Sequence, residues 1–378
     1  MHASVQFVSI YALRLFLRLF HVCPVKRRRL LFAAHEGKAY NCNPQYIFEA
    51  LYERFGTDCE YIWCLNDRKL IPAAYRVECV KYLSLKYLYY LVTSGVVIND
   101  VGVEPFIPKR KGQLFINTWH GGGAYKKGRP NAPYKRNLRA RMTDYVISSC
   151  RKFSEVCSAE DFFNIGIEKF LPIGMPRNDL FFRTERHAAI RKRICERYGM
   201  DEERLLVLYA PTFRGAERNP DQSSLITDAI PICAAVEKRF HKPAVILSRC
   251  HTGVSFTIDG TVDVNDYQDM QELLIASDLL ITDYSSSIWD FSLTHKPAFL
   301  YTPDLEAYER STGFHVPIAQ WPYPYALTME ELCASIRNYD ASEALCKIEA
   351  HHAHYGSYER GTATEEMCDI ICRHLENA

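Results

Sequence analysis

From Arg29 onward, short apolar runs alternate with helix-patterned stretches, and this alternation restricts the chain's fold more than any other feature of its sequence. "LLFAA", "CEYIWCL", "GVVIND", "QLFINTW", "DYVISS" and "KFLPIG" read as buried strands, and "QYIFEALYERF" reads as a helix opened by Asn43 as N-cap and Pro44 in the first turn. A second series follows: "RLLVLYAPTF", "AVILSRC", "TVDV", "LLITDY" and "AFLYT", with helical stretches near 223–240, 269–277 and 286–294. Strands alternating with helices predict parallel sheets covered on both faces, so the fold class is α/β. With 378 residues the expected organisation is two Rossmann-like domains facing a cleft, over 29–182 and 183–378. The charged helical segment 179–200 crosses between them.

Hydrophobic content of 48% and charged content of 24% exclude wholesale disorder. The net charge of +1 conceals an asymmetry: residues 1–180 carry 27 Lys and Arg against 15 Asp and Glu, and residues 181–378 carry 19 against 30. A basic half suits an anionic partner, a phosphate polymer or an acidic lipid face, and a solvated surface is the alternative. The 14 cysteines show no paired metal-type spacing and read as reduced thiols, so no metal site is expected.

Residues 1–28 form a separate N-terminal element. "SVQFVSIYALRLFLRLFHVC" is apolar almost all round, with Arg14, Arg18 and His21 on one stripe, and "KRRR" at 26–29 follows. Arginine at a bilayer centre costs about 2.5 to 3.5 kcal/mol, which favours an amphipathic helix lying in the membrane interface over a spanning one. A helix packed on the protein's own core is the competing reading.

In parallel sheets ligands sit beyond the carboxyl ends of the strands, and four such junctions carry polar residues. "ITDYSSSIWDF" ends a strand at Asp283. The hydroxyls of Ser285, Ser286 and Ser287 and the first amides of a following helix would cradle a phosphate, though one serine is needed as a cap. "YAPTFRG" brings Thr212 and Arg214 to another strand end, and "LSRCHTG" repeats the arrangement with Arg249 and His251. In "INTWHGGGAYKKG" His120 follows a strand as a candidate proton acceptor. Gly121, Gly122 and Gly123 would let the backbone approach a ligand, and Lys126 and Lys127 add positive charge. Arg177 and Asn178 in "IGMPRND" close the same half. His351, His352 and His354 read as a solvated polar tract.

"NTWHGGGAYKKG", "LPIGMPRNDLF", "YAPTFR", "SRCH", "SDLLITDYSSSIWDFSLTHKPAFLY" and "YERGTATEEMCDIIC" occur in an order that resembles the CDP-glycerol:poly(glycerophosphate) glycerophosphotransferases, the teichoic acid and capsule polymerase group. The resemblance implies a GT-B type fold of two Rossmann-like domains, with a CDP-polyol bound mainly by the second. The acceptor, a lipid-linked glycan or polyol phosphate, would enter from the first. It implies His120 as general base and His251 near the donor phosphates as catalytic residues. Thr212, Arg214, Arg249, Asp283 and Ser285–Ser287 fall on the donor side, and Gly121, Gly122, Lys126, Lys127, Arg177 and Asn178 on the acceptor or interdomain side. No metal, cofactor or nucleic acid is implied, and members lie in the cytoplasm, peripherally on the inner face of the cell membrane. Where many relatives follow Trp-His-Gly with Thr-Pro-Leu-Lys, this chain has Gly122, Gly123, Ala124, Tyr125 and Lys126. The expected reaction is polyol-phosphate transfer with release of CMP. A GT-B glycosyltransferase and a non-catalytic scaffold for an anionic glycan are the alternatives.

Overall fold

The computed structural model describes residue 10 and residues 12–127, 138–212, 225–249 and 258–377. The chain divides into two compact units: one of Met1–His120, Asn131–Asp179 and Tyr358–Ala378, the other of Gly121–Pro130 and Leu180–Ser357. The linear division expected from sequence differs in two places. The last helix returns to the first unit, and the glycine-rich segment after His120 belongs to the second.

The first unit is built on a parallel sheet of seven strands: β1 (Lys26–Ala33), β2 (Glu60–Cys64), β3 (Glu78–Val80), β4 (Ser94–Asn99), β5 (Leu114–Asn117), β6 (Tyr145–Ile147) and β7 (Phe170–Leu171), in the order β3-β2-β1-β4-β5-β6-β7. Alternate residues of β1 serve opposite faces, as strand geometry requires. Leu30 and Phe32 enter a core with Phe48, Trp63, Met367 and Ile371. Leu31 and Ala33 enter another with Leu17, Tyr87, Leu91 and Phe115. Helices Cys42–Phe55 and Ala363–Asn377 supply Phe48 and Ile371 to the first of these cores. The Asp179 carboxylate accepts the amides of Ala363 (3.1 Å) and Thr364 (2.7 Å), capping the returning helix.

One expectation for the N-terminal region changes. "KRRR" is not a loose basic cluster: it opens β1, and Arg29 is buried, pairing with Glu60 (3.0 Å), donating to Thr93 Oγ1 (2.7 Å) and lying over the Tyr90 ring. Residues 12–17 are helical and Leu17 is fully buried, whereas Leu15, Leu19 and Val22 are exposed. Among the described residues no helix is long and apolar enough to cross a membrane. Asn43 is also not the expected cap. Asn41 precedes the helix, and Asn43 sits buried in its first turn.

The second unit repeats the design with β8 (Leu205–Tyr209), β9 (Ala244–Ser248), β10 (Thr261–Asp263), β11 (Leu279–Thr282), β12 (Ala298–Tyr301) and β13 (Tyr325–Ala326), all parallel, in the order β10-β9-β8-β11-β12-β13. Val207, Ile246, Ile281 and Phe299 meet Leu332 and Ile336 of helix Met329–Arg337, whose start carries a Thr328/Glu331 capping box. A separate aromatic cluster joins Tyr125, Trp289, Trp321, His351 and Tyr355. Tyr125 packs on Trp321 (4.4 Å between centroids), and its hydroxyl lies 2.8 Å from His351 Nε2. His352 Nε2 lies 2.6 Å from the Ser292 hydroxyl. The expectation of a solvated histidine tract therefore fails for His351, a core residue, and for the half-buried His352, while His354 is exposed as expected. Burial pushes His351 down to about 3 and His352 down to about 4, with neighbouring imidazoles adding to the effect.

Two tests follow from this packing. Phe48 is fully buried against Phe32, Tyr61, Trp63 and Tyr75, so Phe48→Ala should cost about 3 to 5 kcal/mol of stability in urea melts. A smaller loss than about 1 kcal/mol would mean that this core is not formed. The histidines bind protons in the unfolded chain below their ordinary pKa of about 6.5, but in the folded chain only near the lowered values. Their contribution to stability is thus complete above pH 6.5 and declines as pH falls toward 4, by up to about 1.4 kcal/mol per unit for each group. Urea midpoints measured across this range should fall with acidification, and His351→Asn should flatten the slope; equal slopes would contradict the assignment.

Candidate active site

Each strand order reverses direction once. From β1 the chain continues to β2 on one side, and from β4 to β5 on the other. The loops leaving the carboxyl ends of β1 and β4 therefore part and open a crevice, the preferred ligand position in a parallel sheet. In the second unit the same reversal lies between β8 and β11.

In the first unit, Asp100 follows β4 and is completely buried. Its carboxylate accepts the backbone amide of His35, the second residue after β1, at 3.0 Å to Oδ1 and 3.1 Å to Oδ2, and Oδ2 lies 3.2 Å from His35 Nδ1. The Asp100 carbonyl accepts from His120 Nδ1 at 2.8 Å. Because a carbonyl can only accept, the proton of neutral His120 sits on Nδ1 and the lone pair on Nε2. Burial lowers the His120 pKa, with opposing contributions from Asp100 and further lowering from His35 and Arg177, which keeps the ring neutral at pH 7. The Trp119 ring packs 4.4 Å from that of His120.

The backbone around His120 is pinned by Arg177, a candidate from the sequence, and by Asn43, which the sequence offered only as a helix cap. Asn43 Nδ2 donates to the carbonyls of Thr118 (3.1 Å) and Trp119 (3.0 Å), and its Oδ1 accepts the Arg177 amide (3.1 Å). The Arg177 guanidinium donates to the His120 carbonyl (3.0 Å) and contacts Cys42 Sγ (3.1 Å). Asn178 donates to Glu359 (3.0 Å), whose other oxygen accepts the Met175 amide (3.0 Å). Arg177 thus joins His120, whereas Asn178 is buried and holds the "IGMPRND" turn. His35, Cys42 and Asp100 bring three potential metal-ligand atoms within 4.8 Å of one another, but the Arg177 cation against the Cys42 sulfur opposes a divalent ion there.

In the second unit the equivalent junction is closed by the same kind of contact. Asp283, buried after β11, accepts the amide of Thr212 at 2.8 and 2.9 Å, drawing the loop after β8 toward the serine segment. Asp283 therefore positions the backbone that carries Thr212. The helix after the serines is short, Ser287–Ser292. Ser285 Oγ accepts the Ser287 amide (3.3 Å) and the Ser287 hydroxyl (3.0 Å), closing the turn before the helix, whose cap residue Ser286 makes no side-chain cap bond. Arg249 follows β9 and donates to the Tyr267 carbonyl (2.7 Å), with burial lowering its pKa. Arg214 and His251 lie outside the described residues.

The glycines after His120 serve packing. A Cβ on Gly122 would lie 2.3 Å from Trp289 Cδ1, and Gly123 has φ +73° with its Cβ position 2.5 Å from the Tyr125 ring. Side chains at either position would displace the aromatic cluster. Gly121 is buried, Lys126 is half-buried and bridges Phe314 through its backbone, and Lys127, exposed, donates its amide to the Gly313 carbonyl (3.1 Å).

Comparison with known proteins adds to this geometry. A sequence profile of the CDP-glycerol:poly(glycerophosphate) glycerophosphotransferases matches residues 15–373. The chain is 28% identical to a teichoic acid poly(glycerol phosphate) polymerase of Bacillus spizizenii, covering 96% of each chain. It is also 28% identical to a teichoic acid ribitol-phosphate primase of that organism, covering 93% of this chain and 92% of the other. A Staphylococcus epidermidis teichoic acid poly(glycerol phosphate) polymerase is 26% identical over 93% of this chain, which spans 51% of that longer protein. The fold matches that of the wall teichoic acid polymerase TagF with a TM-score of 0.83 at 24% identity, over 99% of this chain and 96% of the other. The chain belongs to the CDP-glycerol:poly(glycerophosphate) glycerophosphotransferase family of enzymes.

Proposed function

We propose that the protein transfers a polyol phosphate, glycerol or ribitol phosphate, from a CDP-polyol to an acceptor hydroxyl with release of CMP, building or priming a teichoic acid-like or capsular polymer. The observation that carries this reading is the fixed tautomer of His120. Its Nδ1 is held by the Asp100 carbonyl, which leaves Nε2 as a neutral base at the reversal of the first sheet. The names of the relatives, glycerol-phosphate polymerases and a ribitol-phosphate primase, supply the substrate class.

In the reaction, the acceptor hydroxyl gives its proton to His120 Nε2, and the oxygen attacks the phosphorus that carries the polyol. A new phosphorus–oxygen bond forms, and the bond from that phosphorus to the bridging oxygen breaks. CMP departs with the bridging oxygen and its electron pair. The second unit binds the nucleotide. Its donors are the hydroxyl of Thr212, the serine segment 285–287 and Arg249, joined by Arg214 and His251 from the sequence pattern. Arg177 brings positive charge to the acceptor-binding unit, where a phosphate chain is anionic, and Lys126 and Lys127 are further acceptor candidates from the sequence pattern. The protein works in the cytoplasm against the inner face of the membrane, where the exposed Leu15, Leu19 and Val22 beside Arg18 suit an interfacial position.

Purified protein incubated with CDP-glycerol or CDP-ribitol and a lipid-linked acceptor should release CMP in proportion to acceptor extension. His120→Ala should lower that rate by roughly 10² to 10⁴ while leaving the affinity for CDP within about twofold. Undiminished CMP release by this variant, or release of CDP in place of CMP, would refute the assignment.

A further inference from the structure

His120 is one of two imidazoles at the reversal of the first sheet. The other, His35, projects from the loop after β1, its ring centroid 5.9 Å from that of His120. Asp100 orients both rings through their Nδ1 atoms: its carboxylate lies 3.2 Å from His35 Nδ1, and its carbonyl lies 2.8 Å from His120 Nδ1. In each ring the atom left to meet a ligand is therefore Nε2. The His35 side chain is 40% exposed and so reachable, while the carboxylate that holds it is 0% exposed.

The backbone here is unusual in a way that plain packing does not require. His35 (φ +47°), Glu36 (φ +57°), Cys42 (φ +61°) and Trp119 (φ +50°) all adopt the left-handed conformation without being glycine. The His35 amide is held by both oxygens of Asp100, and the Glu36 carboxylate by Arg139 at 2.7 Å. Strain of this kind persists where surrounding contacts over-determine it, and it gathers at functional sites. A residue whose task was to fill space would not need a buried carboxylate on both its amide and its ring.

We propose that His35 is an acceptor-binding residue that recognises a vicinal diol: His120 takes the proton of the reacting hydroxyl, and His35 Nε2 accepts a hydrogen bond from the hydroxyl on the adjacent carbon. This deepens the proposed transfer reaction and rests on it. Two hydroxyls on neighbouring carbons, each making a hydrogen bond of about 2.8 Å, can span two rings at this separation. The end of a glycerol phosphate chain and that of a ribitol phosphate chain both offer such a pair, whereas an acceptor with one isolated hydroxyl satisfies His120 alone. The second imidazole therefore selects the acceptor class and takes no part in moving the proton.

The test uses two synthetic lipid-linked acceptors, one ending in glycerol phosphate and one ending in 1,3-propanediol phosphate, which lacks the adjacent hydroxyl. The donor is whichever CDP-alcohol supports CMP release by the full-length protein. Wild type should favour the diol by roughly tenfold in kcat/KM, the scale of one hydrogen bond to substrate. His35→Ala should remove most of that preference by raising the acceptor KM, and donor KM and the affinity for CDP report whether the donor side is disturbed. His35→Gln, which retains an acceptor oxygen, should recover part of the preference. Retention of the full preference by His35→Ala, or an equal loss for both acceptors together with a weaker affinity for CDP, would overturn the assignment while leaving polyol-phosphate transfer intact. If His35→Ala does not fold, an undiminished KM penalty in His35→Gln overturns it equally. Failure of the wild type to release CMP from either CDP-alcohol would instead remove the underlying reaction and the role of His35 with it.

Discussion

A buried carboxylate gripping a backbone amide recurs at the one place in each sheet where the strand order reverses. Asp100 holds the amide of His35, and Asp283 holds that of Thr212, each through both oxygens at 2.8 to 3.1 Å. A carboxylate in a low-dielectric interior is costly unless its oxygens are satisfied, and a charge-assisted bond to an amide is among the stronger ways to satisfy them. The consequence is that two loops which topology drives apart are tied together at their roots. Whatever those loops present is then held on a rigid base, as a site needs to be.

The two junctions present different chemistry. In the first unit the tie orients imidazoles. The Asp100 main-chain oxygen sets the tautomer of His120, its side chain sets His35, and Asn43 and Arg177 fix the peptide that carries the base. In the second unit the tie draws Thr212 toward three serines, a set of neutral donors suited to phosphate oxygens. A proton acceptor in one unit and phosphate donors in the other are the two requirements of phosphoryl transfer to a hydroxyl.

Much of the fold was legible because strands buried on both faces read as continuous apolar runs. The runs ending at Asn99, Asn117, Tyr209, Ser248 and Thr282 are strands β4, β5, β8, β9 and β11. The short edge strands Glu78–Val80 and Tyr325–Ala326 were not. The return of helix Ala363–Asn377 to the first core was hidden for a different reason: its amphipathic pattern says that it packs, not on what. Within the site, His120 was visible through its position after a strand. His35 and Asp100 carried a weaker signal, a polar pair directly behind "LLFAA" and a carboxylate directly behind "GVVIN", which acquires meaning only once β1 and β4 are known to be neighbours. The glycines misled because the same lack of a side chain serves a ligand or an indole, and here the indole of Trp289 fills the space. His351 misled because polar residues in a row resemble a surface until tertiary contacts bury one of them.

The division of labour between the two junctions can be measured directly by comparing Asp100→Asn with Asp283→Asn for CMP turnover and for CDP affinity. Loosening the first tie should lower kcat with little change in the affinity for CDP, and loosening the second should weaken CDP binding. If both variants alter the same quantity to the same degree, the two carboxylates do no more than stabilise the sheets, and the account of a base-bearing and a phosphate-bearing junction is wrong.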